Sequence, residues 1–387
     1  MKLLIINTHP VNYHVPIYKK LADSTEFDVE VCFLWDVFSA RYRPSQSFPM
    51  HYDKSLLNGY KHSFLKNISL KPGPTFWGLI NFGLFSKIKN SQCDAVLIFG
   101  YNYFSAWIAL ISAKILGKKI IFKGESDLLA KRSFFKEIIK KVYVKTFFNR
   151  VDYFLYSYKK NAEYYCHYGA SRRSLYFMPC AVDNEYFQAI AANLDRQEER
   201  GRLGFAEDEV VMLYVGRLEP RKQPDLLLRA LSHFCKTKIR LVYVGDGSMM
   251  AALKDQVKAL SLENQVRFDG FKSHELINAY FKSSDLLVLP SLLDPSPKVV
   301  NEAMNFSLPV IVSDKVGTAN DLVVNRQNGM VFKAGDVNSL VLAMKEVAFD
   351  QAVRARLSEK ALSTVSQWNY QLGVESVKSI MREVSHA

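Results

Sequence analysis

Apolar strand-like runs alternate with helix-like runs along the whole chain, and this alternation is what most limits the folds open to it. In the first half, Leu3–Ile6, Val29–Leu34, Ala95–Phe99, Lys119–Phe122, Tyr153–Tyr156 and Leu175–Met178 read as strands. Helical patterns at Val15–Leu21, Thr75–Ile88, Ala106–Leu116 and Ser133–Phe148 fall between them. The second half repeats the scheme, with strands at Val210–Val215, Arg240–Val244, Val266–Phe268, Leu286–Leu289 and Val310–Val312. Its helices are expected at Pro224–His233, Met249–Leu260, Leu276–Phe281 and Asn301–Asn305. Such alternation predicts parallel sheets covered by helices on both faces. At 387 residues the chain exceeds one ordinary core. The fold class expected is therefore α/β with two Rossmann-like domains, joined by a linker in the polar run 193–209, and a ligand cleft between them.

Composition removes several alternatives. Five cysteines, at 32, 93, 166, 180 and 235, are scattered without a C-x-x-C pair, which argues for reduced thiols and against a zinc site. The start, MKLLIINTHP, carries four aliphatic residues in a row, too few for the apolar region of a signal peptide. No window of 18 uncharged apolar residues occurs, so no transmembrane helix is expected. A cytoplasmic protein is expected, with peripheral attachment to the inner face of the plasma membrane as an option. The formal net charge of +13 is concentrated in residues 1–200, which hold 28 Lys and Arg against 17 Asp and Glu. Charge of this kind attracts polyanions or anionic membrane surfaces.

Two segments carry the chemistry. Gly216-Arg217-Leu218-Glu219-Pro220-Arg221-Lys222 follows the strand Val210–Val215 and leads into a helix. The glycine permits a tight turn, and a helix N-terminus with Arg217 and Lys222 suits a diphosphate. The second segment, Pro290–Asp314, reads as strand end, polar loop, helix and strand, with Asp294 and Glu302 at the loop and the first turns of the helix. Loops at the C-terminal ends of parallel strands are where ligands bind in open α/β sheets.

The second segment resembles the signature of the retaining glycosyltransferases of family 4, with the GT-B fold. Glu302-Ala303-Met304 and Pro309-Val310-Ile311 match that signature, whereas Asp294 stands where the family usually has Glu, and Pro295-Ser296-Pro297 replaces its Gly-Phe-Gly. The Gly216–Lys222 element matches the family's G-R-L-x-x-x-K. The resemblance implies transfer of a sugar from a UDP- or GDP-linked nucleotide sugar to a saccharide or lipid-linked acceptor with retained configuration. Cell-surface polysaccharide or lipopolysaccharide biosynthesis is the implied setting, and no metal or other cofactor is implied. It implies an acceptor-binding domain over 1–195, a donor-binding domain over 208–365 and a C-terminal helix, 366–387, returning to the first domain. The implied donor set is Gly216, Arg217, Lys222, Gly245, Phe271, Lys298, Val299 and Glu302, with Glu302 on the ribose hydroxyls. Arg217 and Lys222 would neutralise the leaving diphosphate, and Asp294 would face the donor sugar, its reach about 1.5 Å shorter than that of Glu.

In the first half, Lys123-Gly124-Glu125-Ser126-Asp127 lies where many family members carry His. Glu125 could stabilise an oxocarbenium-like transition state or accept a proton; equally, it could cap the next helix. The loop Asn7–Pro16 lacks the family's Gly-Gly pair, and Tyr13 and His14 are its acceptor-side candidates. The stretch 131–160 holds nine basic and two acidic residues interleaved with aromatic and aliphatic ones. An anionic membrane surface suits it best; nucleic acid, which is not expected as a partner, and a helix packed on its own sheet are the alternatives. A sugar-nucleotide epimerase and a catalytically degenerate scaffold are the competing functions.

Overall fold

A computed structural model describes residues 1–38, 54–129, 133–235 and 237–386. The chain divides into two compact units, Met1–Cys180 with Tyr370–Ala387, and Ala181–Asn369.

The first unit runs β1 (Lys2–Asn7), α1 (Val15–Ala22), β2 (Asp28–Phe33), β3 (Lys61–Phe64), α2 (Leu84–Ser91), β4 (Ala95–Phe99), α3 (Phe104–Ile115), β5 (Lys119–Lys123), α4 (Phe134–Phe148), β6 (Tyr153–Tyr156), α5 (Lys159–His167) and β7 (Leu175–Phe177). Its seven strands are parallel and ordered β3-β2-β1-β4-β5-β6-β7. The order reverses between β1 and β4. Central strands such as Leu3–Ile6 and Ala95–Ile98 are buried along their length, which is why they read as unbroken apolar runs.

The second unit runs α6 (Asn184–Asn193), α7 (Arg196–Leu203), β8 (Val210–Val215), α8 (Pro224–Leu231), β9 (Ile239–Val244), α9 (Met250–Ala259), β10 (Val266–Gly270), α10 (His274–Ser283), β11 (Leu286–Leu289), α11 (Lys298–Asn305), β12 (Val310–Ser313), β13 (Gly329–Phe332), α12 (Val337–Phe349) and α13 (Gln351–Gln367). Its parallel sheet has the order β10-β9-β8-β11-β12-β13, reversing between β8 and β11. The last helix, α14 (Tyr370–Ser385), belongs to the first unit and packs on α1 and β7.

Three expectations change. The amphipathic pattern over 75–88 is not one helix: a single 3-10 turn at Phe76–Gly78 precedes α2, because Asn67 receives Ile80 N and donates to Gly78 O, holding the segment extended. The polar run 193–209 is not a linker. Asp195 caps α7, and the buried Arg200 donates to the carbonyls of Ser283, Ala206 and Glu209 and pairs with Asp285 at 3.3 Å. Residues 181–195 lie in the second unit rather than the first, where Asn184 donates to Val365 O at 2.7 Å.

Candidate functional site

The strand order reverses between β8 and β11, the place where open parallel sheets bind ligands, and both chemistry-bearing segments follow these two strands. The loop after β8 begins at Gly216 and tightens into a 3-10 turn over Pro220–Lys222. The loop after β11 carries Asp294 and ends where α11 starts. Backbone and side chain lace the two together. Leu292 N donates to Arg221 O at 2.8 Å, Arg221 Nη1 donates to Leu293 O at 3.3 Å, and Lys222 Nζ pairs with Asp294 Oδ2. The last pair is nearly buried, with 13% and 11% of its side chains exposed.

Glycine makes this packing possible at two points. A Cβ on Gly245 would lie 1.9 Å from Gly216 O, so the loops after β8 and β9 can meet only through bare backbone, at a φ of +146° that glycine alone adopts readily. A Cβ on Gly317 would lie 1.8 Å from Pro295 O, and Gly317 N donates to Asp294 O at 2.8 Å. The segment 316–317 therefore backs the Asp294 loop and fixes its path. This explains how Pro295 and Pro297 are accommodated without the glycines of related loops.

The other donor-side candidates follow strands of the same sheet. Glu302 is 4% exposed on α11, one turn inside the helix. Lys298 opens that helix and donates to Ser296 Oγ at 2.6 Å; Val299 follows it. Arg217 is half-exposed and pairs with Glu219 at 3.2 Å, while Arg221 holds the other Glu219 oxygen at 3.1 Å. Burial alone raises the Glu219 pKa, but the two guanidiniums outweigh it and hold the carboxyl below its usual range. Phe271, 56% exposed, follows β10. Three buried polar atoms near the two loops, Gln223 Oε1, Ser291 Oγ and Thr318 Oγ1, have no hydrogen-bond partner among the described residues. Orphaned buried polar groups of this kind cluster where a polar ligand or water completes the structure. The sequence alone does not single out Arg221, Glu219, Gln223 or Gly317; only the basic turn Gly216–Lys222 hints at Arg221.

In the first unit the corresponding reversal lies between β1 and β4. His14 occupies the N-cap position of α1 there, accepts at Nδ1 from Asn7 Nδ2 at 3.1 Å, and lies 4.8 Å from the Phe99 ring. Tyr13 is half-buried beside it. His9 is also held in this loop, by Thr8 Oγ1 at 2.9 Å, and burial pushes its pKa down to about 4, so it is neutral at pH 7. Glu125 follows β5 and caps no helix, since α4 begins nine residues later behind Ser133. Instead, Cys180 Sγ lies 2.9 Å from Glu125 Oε1, and Tyr158 donates to Glu125 O at 2.9 Å. Tyr165 donates to Gly124 O at 2.6 Å and Asn161 to Ser126 O at 2.8 Å. Three side chains from α5 and its N-cap, with Cys180 beyond β7, thus set the course of the Glu125 loop.

The basic stretch 131–160 splits by face. Lys131 and Arg132 lie outside the described residues. Val144, Phe147 and Phe148 of α4 are core residues, and Tyr143 bonds to Tyr101 O. Phe135, Ile138, Ile139 and Val142 form an exposed stripe at helical spacing, with Lys141 and Lys145 exposed on the same helix. No helix among the described residues is long and apolar enough to cross a membrane.

Comparison with known proteins agrees with this reading. Residues 195–364 match the family model for glycosyl transferases group 1. A stretch of 177 residues is 30% identical to an uncharacterized glycosyltransferase of Methanocaldococcus jannaschii, covering 45% of each chain. Another, of 208 residues, is 29% identical to the UDP-Gal:alpha-D-GlcNAc-diphosphoundecaprenol alpha-1,3-galactosyltransferase of Escherichia coli, covering 52% of each. The chain thus spans about half the length of the curated relatives it matches. Among solved structures, Anabaena HepE in complex with UDP superposes with a TM-score of 0.74 at 18% identity, covering 100% of both chains. That likeness establishes the fold as GT-B, the two-unit parallel α/β architecture. Residues 195–364 thus carry the group 1 glycosyl transferase domain, and the chain as a whole has the GT-B fold.

Proposed function

We propose that the protein is a retaining glycosyltransferase that moves a sugar from a UDP- or GDP-linked donor to a saccharide or lipid-linked acceptor in cell-surface polysaccharide synthesis. The reading is supported by the placement of Arg217 and Lys222 on the loop after β8 and of the buried Glu302 on the helix after β11, the two strands between which the sheet order reverses. Two cations there can neutralise a leaving diphosphate without a metal, and a buried carboxylate can accept both hydroxyls of a ribose. Asp294, held by Lys222, is the group available to donor-sugar hydroxyls. The acceptor hydroxyl attacks the anomeric carbon on the face from which the diphosphate departs, forming one C–O bond as the other breaks and passing its proton to the departing diphosphate oxygen. In the first unit, Glu125, Tyr13 and His14 are the acceptor-side groups. HepE's complex with UDP and the diphosphoundecaprenol acceptor in the E. coli relative's name support the donor and acceptor classes chosen. The exposed stripe and lysines of α4 support docking on an anionic membrane, where a lipid-linked acceptor resides.

The test is a panel of UDP-, GDP- and ADP-sugars scored by the rise in melting temperature. The best donor is then used to measure nucleotide release with and without acceptor. Glu302→Ala and Lys222→Ala should each lower release by about a hundredfold or more. Unchanged turnover in both variants would mean that the site lies elsewhere, and release that needs no acceptor would favour donor-only chemistry.

A further inference from the structure

The outer edge of the first sheet ends on β7, and its two faces are treated differently. Tyr176 turns to one face and bonds to Glu383 of α14, which covers that side. Leu175 and Phe177 turn to the other, where the Phe177 ring lies 5.3 Å from that of Tyr156 on β6. A parallel strand inside a βαβ chain has a following helix to cover it. Beyond β7 the chain passes instead to the second unit at Ala181, so the first unit supplies no such helix here.

A cavity of about 750 Å³ lies at this place, within the size range of small-ligand sites. Tyr156, Leu175 and Leu128 give it apolar walls. Lys159, Ala162, Glu163 and Cys166, spaced three and four apart, present one face of α5 to it. Lys159, Arg172 and His167 bring cationic or protonatable nitrogen, and Glu163 is the one acid of the lining. Leu128 is three residues from Glu125 on a single loop, so the cavity adjoins the acceptor-side candidate through the backbone.

We propose that this cavity seats a phosphate carried on an isoprenoid chain: Lys159 and Arg172 take the phosphate oxygens, and the Leu128–Tyr156–Leu175 wall takes the first apolar units. Cations set against an exposed apolar wall match an amphiphilic anion, whereas a free phosphate would leave the wall wet and a neutral lipid would leave the cations unused. The proposal rests on the reading of the first unit as the acceptor unit, and it names the part of the acceptor that this unit holds.

Cys166 provides a reporter inside the cavity, and the exposed Cys235 of the second unit an internal control. The full chain is treated with a maleimide, and labelling at each cysteine is followed by peptide mass spectrometry. Farnesyl phosphate below its micelle concentration, at about four times its dissociation constant, should slow labelling of Cys166 about fivefold and leave Cys235 unchanged. Equal concentrations of farnesol or inorganic phosphate should protect neither. In Lys159→Ala/Arg172→Ala the farnesyl phosphate needed for half-protection should rise about tenfold or more. No protection of Cys166, equal protection by inorganic phosphate, or protection unaltered in the double variant would each overturn the assignment. UDP binding to the same samples, read by melting temperature, is independent of this cavity. Its loss would count against the donor site, and its survival alongside unprotected Cys166 would count against the cavity alone.

Discussion

At the scale of single residues, the Lys222–Asp294 pair is the most consequential contact of the donor loops. Its two charges are mostly withdrawn from water, so removing one leaves the other uncompensated, typically at a cost of about 3–5 kcal/mol. On the proposed donor role, a diphosphate offers Lys222 a stronger anion than one carboxylate, so Asp294 would compete with the ligand for the same ammonium. Stability and product affinity should therefore move in opposite directions in Asp294→Asn. The melting temperature of the free protein should fall, while UDP should bind several-fold more tightly, by about 1 kcal/mol or somewhat less. Calorimetric titration with UDP and a thermal melt check both. Weaker UDP binding in Asp294→Asn would mean that the carboxylate orients Lys222 rather than competing for it. Sugar transfer should fall in either case on the donor-sugar role proposed for Asp294.

At the scale of elements, α4 shows what patterning can and cannot reveal. Its apolar residues were legible as helical, but they occupy two faces: Val144, Phe147 and Phe148 are core, whereas Phe135, Ile138, Ile139 and Val142 are exposed. Only packing separates the two sets. Replacing Phe135 and Ile139 by Ser should leave the fold intact, since both are mostly solvent-exposed, and should weaken binding to phosphatidylglycerol vesicles about tenfold or more in co-sedimentation. Retained binding, or equal binding to neutral vesicles, would refute a membrane role for this face. The same division explains the rest of what the sequence disclosed. Strands buried on both faces, such as Val210–Val215, announce themselves as apolar runs, whereas the edge strand Lys61–Phe64 buries little and was missed. Helix α7 reads as linker in the sequence because its Arg200 is buried only through Asp285, far along the chain. Among the candidate residues, Gly216, Arg217 and Lys222 share the loop after β8 and Glu302 sits on the helix after β11, so each set reads from a short local segment. Gly317 and Cys180 act through partners 22 and 55 residues away, which no local pattern announces.

At the scale of the whole molecule, chain order and unit membership part company at the end. Helix α14 follows the second unit in sequence but is built into the first. Tyr370, Val374, Val377, Ile380 and Met381 are buried at 5% exposure or less, and Gly373 admits the Met178 side chain. Arg382 pairs with Glu26 through two nitrogens at 2.9 and 3.0 Å, but on an exposed surface this contributes little. The five buried side chains contribute on the order of 10 kcal/mol gross, an upper bound comparable to the whole stability of a domain. Removing residues 370–387 should therefore unfold the first unit while the second, whose core lies wholly within 181–369, stays folded. Hydrogen exchange should show loss of protection in β1, β4 and β5 with β8, β9 and β11 unaffected, and UDP should still raise the melting temperature of the truncated chain. Loss of protection in both sheets together would show instead that the two units fold as one cooperative block.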